Sequence, residues 1–200
     1  MILAVARCTI GYMDGQRINL NPREGQRIDL RIRDAREGDR DAIREVTLAA
    51  FQQYAEVMAA HWERYRQGIL NALADVKRAE QIVAERDGAI VGAVLLYPSG
   101  VVFSRPDGSR VTLEYPEARL LAVAPTARGR GIGEALLREC IRRARRSGAA
   151  TLTLHTSDFM QAGKRMYERL GFVRASELDF HPSKDLTVMG YRLPLGAPAP

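Results

Sequence analysis

Cysteine is nearly absent from this chain: Cys8 and Cys140 are the only two in 200 residues, which argues against a disulfide framework and makes a reducing cytoplasm the expected home. No apolar run approaches the roughly 20 residues that cross a bilayer, so no membrane partner is expected. The opening Met1 to Ala6 is too short for the core of a signal peptide and has no basic residues before it, so no leader is expected either. The histidines, His61, His155 and His181, are scattered without ligand spacing, and no metal is expected. Internal repeats and low-complexity tracts are also missing.

What remains is the composition of one ordinary globular domain, 46% apolar and 27% charged. The formal charge of +6 permits an anionic partner without identifying one. Much of that excess is local: Arg138, Arg142, Arg143, Arg145 and Arg146 fall near the end of one helical pattern, where cations complement the helix dipole on a solvated face. A nucleic-acid patch calls for interleaved aromatic residues, and this segment has none, so no nucleic acid is expected.

The stretch from Glu117 to Cys140 organises the rest. Ala118 to Val123 is, apart from Arg119, an apolar run of strand length, and Pro125 ends it. Arg128-Gly129-Arg130-Gly131-Ile132-Gly133 then opens a segment in which Ile132, Leu136, Leu137, Cys140 and Ile141 recur at helical spacing. The first amides of a helix have no partner inside it, their dipoles add, and glycine lets an anion approach the backbone, so a ligand carrying a pyrophosphate is expected here. Two better-known phosphate loops fit poorly. A Walker loop needs a Gly-Lys-Ser/Thr ending, and a dinucleotide turn needs a later third glycine and an acidic residue after the next strand, where this chain has His155-Thr156-Ser157.

Arg128-x-x-Gly131-x-Gly133 directly after Leu120 to Pro125 resembles the acetyl-CoA pyrophosphate loop of the GNAT N-acetyltransferase superfamily. Met160 to Phe172, MQAGKRMYERLGF, resembles that family's second signature, a helix bearing a tyrosine and ending in Gly-Phe. The resemblance runs over roughly Ile28 to Leu193, thinning toward the N-terminus. It implies an α/β fold with a mixed, largely antiparallel central sheet flanked by helices and a parallel pair splayed at the central strand. It implies acetyl-CoA as acyl donor, held by Leu121, Ala122, Val123, Arg128, Gly129, Arg130, Gly131, Ile132 and Gly133. Within that frame Tyr167 is the candidate acid for the leaving thiolate, and the Val123 N–H a candidate oxyanion donor. Glu117, which in a regular strand shares a face with Leu121 and Val123, is the candidate base for the amine, with Glu114 as competitor. The family often has Asn where Met160 stands and Ala where Gly163 stands, so Met160 receives no ligand role. Lys164 and Arg165 reach toward the nucleotide end or simply face solvent, and the segment from Phe51 to Trp62 would wall the acceptor site or serve as core.

In chain order, residues 1–27 read as a tail open to disorder, residues 28–194 as the N-acetyltransferase domain and residues 195–200 as a short C-terminal tail. Ile28 to Arg33 alternates as a strand does, and Asp39 is placed to cap a helix with the stripe Ile43, Val46, Ala50. Trp62, Tyr65, Ile69, Leu73 and Val76 mark a second helix. Ile82 to Leu96 is a hairpin turning at Asp87-Gly88, and Gly100 to Tyr115 a ribbon turning at Pro106-Asp107-Gly108. A helix stops at Gly148, Thr151 to Leu154 is a strand, and Phe159 to Leu170 is helical. Phe172 to Leu178 and Leu186 to Leu193 read as the last strands, with Pro182 in the loop between. The function expected is acetyl transfer from acetyl-CoA to a primary amine of a small molecule or peptide, with a homodimer left open. A non-catalytic CoA-binding module is the alternative, and a nucleic-acid binder using the arginine-rich helix a third reading.

Overall fold

The computed structural model describes residues 17–18, 30–75, 77–104 and 110–196. Its sheet has the strand order β1-β2-β3-β4-β7-β8-β11-β10, with β9 also on β11. The ranges are β1 Arg17–Ile18, β2 Leu30–Asp34, β3 Glu80–Arg86, β4 Ala89–Tyr97, β7 Glu117–Val123, β8 Thr151–Thr156, β9 Val173–Arg174, β10 Phe180–Ser183 and β11 Leu186–Pro194. Every neighbouring pair in it is antiparallel except β7 and β8. A separate ribbon pairs β5 Val102–Ser104 with β6 Arg110–Thr112, and its expected turn at Pro106-Asp107-Gly108 lies outside the described residues. This is the mixed, mostly antiparallel α/β architecture expected.

Helices cover both faces. Helices α1 Arg40–Phe51 and α2 Trp62–Ala74 lie on one, α3 Ile132–Arg146 and α4 Gln161–Arg169 on the other. The stripe Ile43, Val46, Ala50 is buried as its spacing requires, and α2 buries Ile69 with Trp62, Tyr65 and Leu73 half-buried beside it; Val76 is outside the described residues. On the other face α3 packs Ile132, Leu136, Leu137 and Cys140 against Leu152 and Leu154 of β8 and Val94 and Leu96 of β4. Full burial pushes the Cys140 thiol up, so it behaves as an inert hydrophobe.

Local chemistry explains most boundaries. Asp87 and Gly88 both take positive φ, 51° and 82°, as a two-residue hairpin turn demands. Gly148 (φ 76°) and Gly171 (φ 90°) stand just past α3 and α4, where a left-handed residue ends a helix. Asp39 does precede α1, but its carboxylate accepts the Arg36 N–H and pairs with Arg33 and makes no cap to the helix.

The C-terminal part departs from expectation in two places. The strand over Phe172 to Leu178 is only Val173–Arg174; the chain then folds into a 3-10 turn, Ser176–Leu178, over Gly190. A Cβ on Gly190 would lie 2.9 Å from the Ala175 carbonyl and collide with Leu178, so the missing side chain is what admits the turn. Pro182 belongs to strand β10 rather than a loop, which an edge position tolerates because no ladder donor is needed there.

Two features of β7 set up the site. Leu120 has φ 52°, and the β4 pairing jumps from Ala93↔Ala122 to Leu95↔Arg119, so Leu120 and Leu121 together oppose Val94 in a β-bulge. The second feature is a divergence: β7 and β8 pair only at Glu117↔Thr153 and Ala118↔Leu154, after which β7 stays with β4 and β8 with β11. The sheet therefore opens between its central strands beyond Ala118, which is the splay the resemblance implied.

Candidate active site

The loop from β7 to α3 is shaped by glycine. After a 3-10 turn at Pro125–Ala127, Arg128 is extended, and Gly129 and Gly131 both have φ 74°. A side chain at either position would strain the left-handed backbone. Ala135 N–H to Gly131 C=O, 2.9 Å, is the first bond of the α3 ladder. The N–H groups of Gly131, Ile132, Gly133 and Glu134 come before it and have no acceptor among the described residues. Such a row of free amides at the positive end of a helix, with exposed Arg130 beside it, suits an anion of the pyrophosphate kind. Ile132 contributes its amide while its side chain is buried in the core.

Arg128 points elsewhere. Its guanidinium donates to the Ala50 carbonyl (3.0 Å) and to Gln53 Oε1 (3.2 Å), at the C-terminal end of α1.

At the opening between the strands, Ala124 N–H bonds the Val91 carbonyl at 2.9 Å. In an antiparallel ladder this makes Gly92↔Val123 a non-hydrogen-bonded pair, so the Val123 N–H turns away from β4 toward the side where β8 has departed. Helix α4 borders the same opening. The Met166 sulfur lies 3.5 Å from where a Cβ on Gly133 would stand, and Met160 packs with Leu120 and Ala122 on the opposite face. Tyr167 joins the two sides. Its ring packs into the α3-side core, 6.1 Å from Phe172 between centroids, and it is close enough to Tyr65 to raise that phenol. Burial, reinforced by nearby Tyr54, pushes the Tyr167 phenol well up, so it stays neutral, and its hydroxyl has no hydrogen-bond partner among the described residues. Gly163 gives the ring room: a Cβ there would sit 3.3 Å from the Tyr167 hydroxyl oxygen.

Glu117 is not on the face expected from strand alternation. The bulge at Leu120 reverses parity, so Ala118, Leu121 and Val123 face α3 while Glu117, Arg119, Leu120 and Ala122 face the α1/α2 side. Glu117 is only 2% exposed, and its carboxylate holds both the Arg119 guanidinium and His155 Nδ1, the latter at 3.1 Å. Burial pushes its pKa up, but the His155 hydrogen bond and the Arg119 charge outweigh burial and leave it below the ordinary carboxylate range. His155 Nε2 faces the Leu178 carbonyl at 2.9 Å, and Phe180 meets the ring edge-on. Arg119 in turn lies over the Phe103 ring, 3.8 Å from its centroid. Sequence reasoning left His155 unassigned because its partner is 38 residues away and meets it through the β7–β8 pairing.

The competitor Glu114 is exposed, Lys164 is occupied by Asp158 at 3.1 Å, and Arg165 is exposed. The segment expected to wall an acceptor forms an aromatic cluster: Phe51 meets Tyr54 and Tyr65 edge-on, Tyr54 leans on Phe159, and Trp62 on Tyr65. Tyr65 was visible only as a stripe residue. The pattern could not show that α2 brings it near Tyr167. His61 contacts Ser183 of β10, 3.2 Å away.

A cavity of about 820 Å³ lies at the other end of α3, between β2, β3 and the Arg142–Arg146 turn. Ion pairs fill its floor. Arg143, 11% exposed, holds Asp34, Glu80 and Glu139 and so fastens α3 to the sheet; it is not the solvated face expected of this arginine run. Among the described residues no group of three His, Cys, Asp or Glu side chains is placed to hold a metal, and no helix is long and apolar enough to cross a membrane.

Comparison with known proteins agrees with this geometry. The family model described as "Acetyltransferase (GNAT) family" matches residues 41–172. A mycothiol acetyltransferase of Nocardia farcinica is 33% identical over 138 residues, 69% of this chain, and the chain spans 38% of that relative's length. A GNAT family acetyltransferase of Brucella melitensis, solved with acetyl-CoA, superposes with a TM-score of 0.53 at 26% identity, covering 86% of this chain and 91% of that one. The ribosomal-protein-S18-alanine N-acetyltransferase of Escherichia coli shares the fold, with a TM-score of 0.56 at 20% identity over 84% of this chain and 94% of its own. With the splayed central strands, the glycine loop and the tyrosine-bearing helix in place, the chain belongs to the GNAT acetyltransferase family.

Proposed function

We propose that this chain transfers the acetyl group of acetyl-CoA to a primary amine of a small molecule or peptide by direct attack. The observation that carries the reading is the opening between β7 and β8, with unpaired α3 amides at one end and an unpartnered, neutral Tyr167 hydroxyl bordering it. Acetyl-CoA supplies the thioester, and its pyrophosphate matches the anion that the Gly129 to Gly133 loop is built to hold.

Each step then has a group of this chain. The amides of Gly131 to Glu134 hold the pyrophosphate, while Leu121 and Ala122 border the arm's path. The Val123 N–H stabilises the oxygen of the thioester carbonyl as the amine attacks. The C–N bond forms, the C–S bond breaks, and Tyr167 donates a hydrogen bond and then its proton to the departing sulfur; the thiolate, conjugate to a thiol of pKa ~8.5, is a weaker base than the phenolate left behind, which takes a proton back through solvent in balance with the one the amine loses.

On the amine side the geometry decides. The Glu117 carboxylate is buried and already held by His155 Nδ1 and the Arg119 guanidinium, which keep it below its ordinary range and make it a poor acceptor for an alkylammonium proton. Loss of that proton to solvent is the simpler route, and we assign Glu117 a positioning and electrostatic role on the acceptor face rather than that of a direct base. The names of the relatives, one for mycothiol and one for a ribosomal-protein alanine, do not converge on one acceptor.

Thiol release from acetyl-CoA across polyamines, aminoglycosides, amino acids and peptide N-termini tests the proposal. Turnover with one class is expected. Tight CoA binding with no transfer to any of them would favour a CoA-binding module instead.

A further inference from the structure

The family motif opens with Arg128, and its charge beside a phosphate loop invites the assumption that it binds phosphate. Its guanidinium is committed elsewhere. It donates to the Ala50 carbonyl (3.0 Å) and to Gln53 Oε1 (3.2 Å), while Gln53 Nε2 donates to the same Ala50 carbonyl at 2.7 Å. These contacts close a small ring across 78 residues of chain. They satisfy a carbonyl at the C-terminal end of α1, where the helix dipole also favours a cation.

What lies beyond that ring is the aromatic wall. Phe51 is the last residue of α1, Gln53 lies in the 3-10 turn Gln52–Tyr54, and Phe51 and Tyr54 pack on Tyr65 and Phe159. After the turn the chain to His61 is held by single-turn bonds, Ala55 N–H to Gln52, Met58 to Tyr54, Ala59 to Glu56 and His61 to Met58. Its side chains are anchored at Tyr54, at buried Met58 and at His61 on Ser183, while its backbone has only these turn bonds, which open more easily than a helix or strand ladder. The backbone of Arg128, by contrast, is one residue from Gly129, at the start of the glycine loop.

We propose that Arg128 is a positioning residue that ties the wall segment 50–61 to the glycine loop, so that filling the loop stiffens the wall and the two sites are thermodynamically coupled. This rests on the glycine loop being the CoA pyrophosphate site. Coupling is reciprocal: whatever CoA does to the wall, an acceptor bound at the wall does to CoA affinity. The phosphate role and the wall role make opposite demands on one side chain. A phosphate ligand lost costs cofactor affinity, whereas a tether lost leaves cofactor affinity and frees the wall.

The test combines calorimetry with CoA and amide hydrogen exchange over residues 52–61, in the wild type, Arg128→Gln and Gln53→Leu. Gln53 does not belong to the loop, so its variant removes the tether without touching phosphate contacts and remains informative should Arg128→Gln fold poorly. In the wild type, CoA should slow exchange of these amides severalfold. Both variants should bind CoA within about threefold of wild type and lose most of that slowing. A tenfold or greater loss of CoA affinity in Arg128→Gln alone, or slowing by CoA that persists in both variants, overturns the tether. A wild type that binds CoA without any change in exchange overturns the coupling while leaving the proposed function standing, and a wild type that does not bind CoA removes both.

Discussion

The acid role proposed for Tyr167 rests on a single atom, its hydroxyl oxygen. Replacing it by Phe removes the hydroxyl and keeps the ring that packs near Phe172, so stability and CoA affinity should hold while kcat falls at least roughly tenfold, general acid catalysis being worth about 10²- to 10⁴-fold. Steady-state kinetics with the best acceptor, alongside calorimetry with CoA, checks this; an unchanged kcat with chemistry rate-limiting would make the tyrosine structural. The loop offers a second single-residue test. Gly131 has φ 74° and provides one of the unpaired amides, so Gly131→Val adds both backbone strain and bulk where the anion approaches. It should weaken CoA binding more than Arg130→Ala, whose side chain is exposed, as titration calorimetry on the folded variants would read. The glycine pattern before a helix nominated Gly131, and the resemblance of Met160 to Phe172 to the family's second signature nominated Tyr167. Which face Glu117 occupies was not legible, because alternation predicts a face only until a bulge reverses it, and nothing local marks Leu120 as the residue with positive φ.

Helix α3 works at both ends. Its N-terminus presents free amides, and its C-terminal half is fastened by Arg143 to Asp34 of β2 and Glu80 of β3, with Glu139 of the same helix completing the cluster. Arg143→Ala should destabilise the fold by roughly 1.5–3 kcal/mol, the range for hydrogen bonds between charged groups, because Glu139 is left mostly buried with only Arg142 beside it. Denaturant unfolding measures this, and CoA affinity should barely change because the helix N-terminus is about 15 Å or more away along the 1.5 Å rise. Read as a sequence, the five arginines looked like a solvated face. Periodicity gives the direction of a side chain from its own helix axis and says nothing of the acids that β2 and β3 bring to meet it.

For the whole molecule, the carboxylates of Glu117, Glu139, Asp39 and Asp179 are all held below their ordinary range; burial opposes this at Glu117 and Glu139, with His155 or arginine hydrogen bonds prevailing, while arginine hydrogen bonds lead at Asp39 and Asp179. A depressed carboxylate contributes stability above its unfolded pKa, about 4, and loses it as pH falls through the folded value. The melting temperature should therefore stay nearly level from pH 7 to 5 and drop below about pH 4, with a shallower acid slope in Glu117→Gln, as calorimetry would record. Removal of residues 1–25 tests the tail. Arg17–Ile18 adds a pair of residues to the edge strand β2, so a chain starting at Gln26 should lose at most about 1 kcal/mol and keep its CoA affinity. By itself the sequence determined the order of the helices and of the strands from β2 to β8, the hairpin at Asp87-Gly88, the glycine loop before α3 and the tyrosine on α4, because each depends on residues within one or two turns of chain. Only the tertiary structure decided which face Glu117 takes, that His155 and Arg119 hold its charge, that Tyr54 and Tyr65 come near Tyr167, and that Arg128 grips α1 instead of pointing to the loop it belongs to. Those contacts join segments tens of residues apart, and their geometry is set by strand register and divergence, which no local pattern encodes.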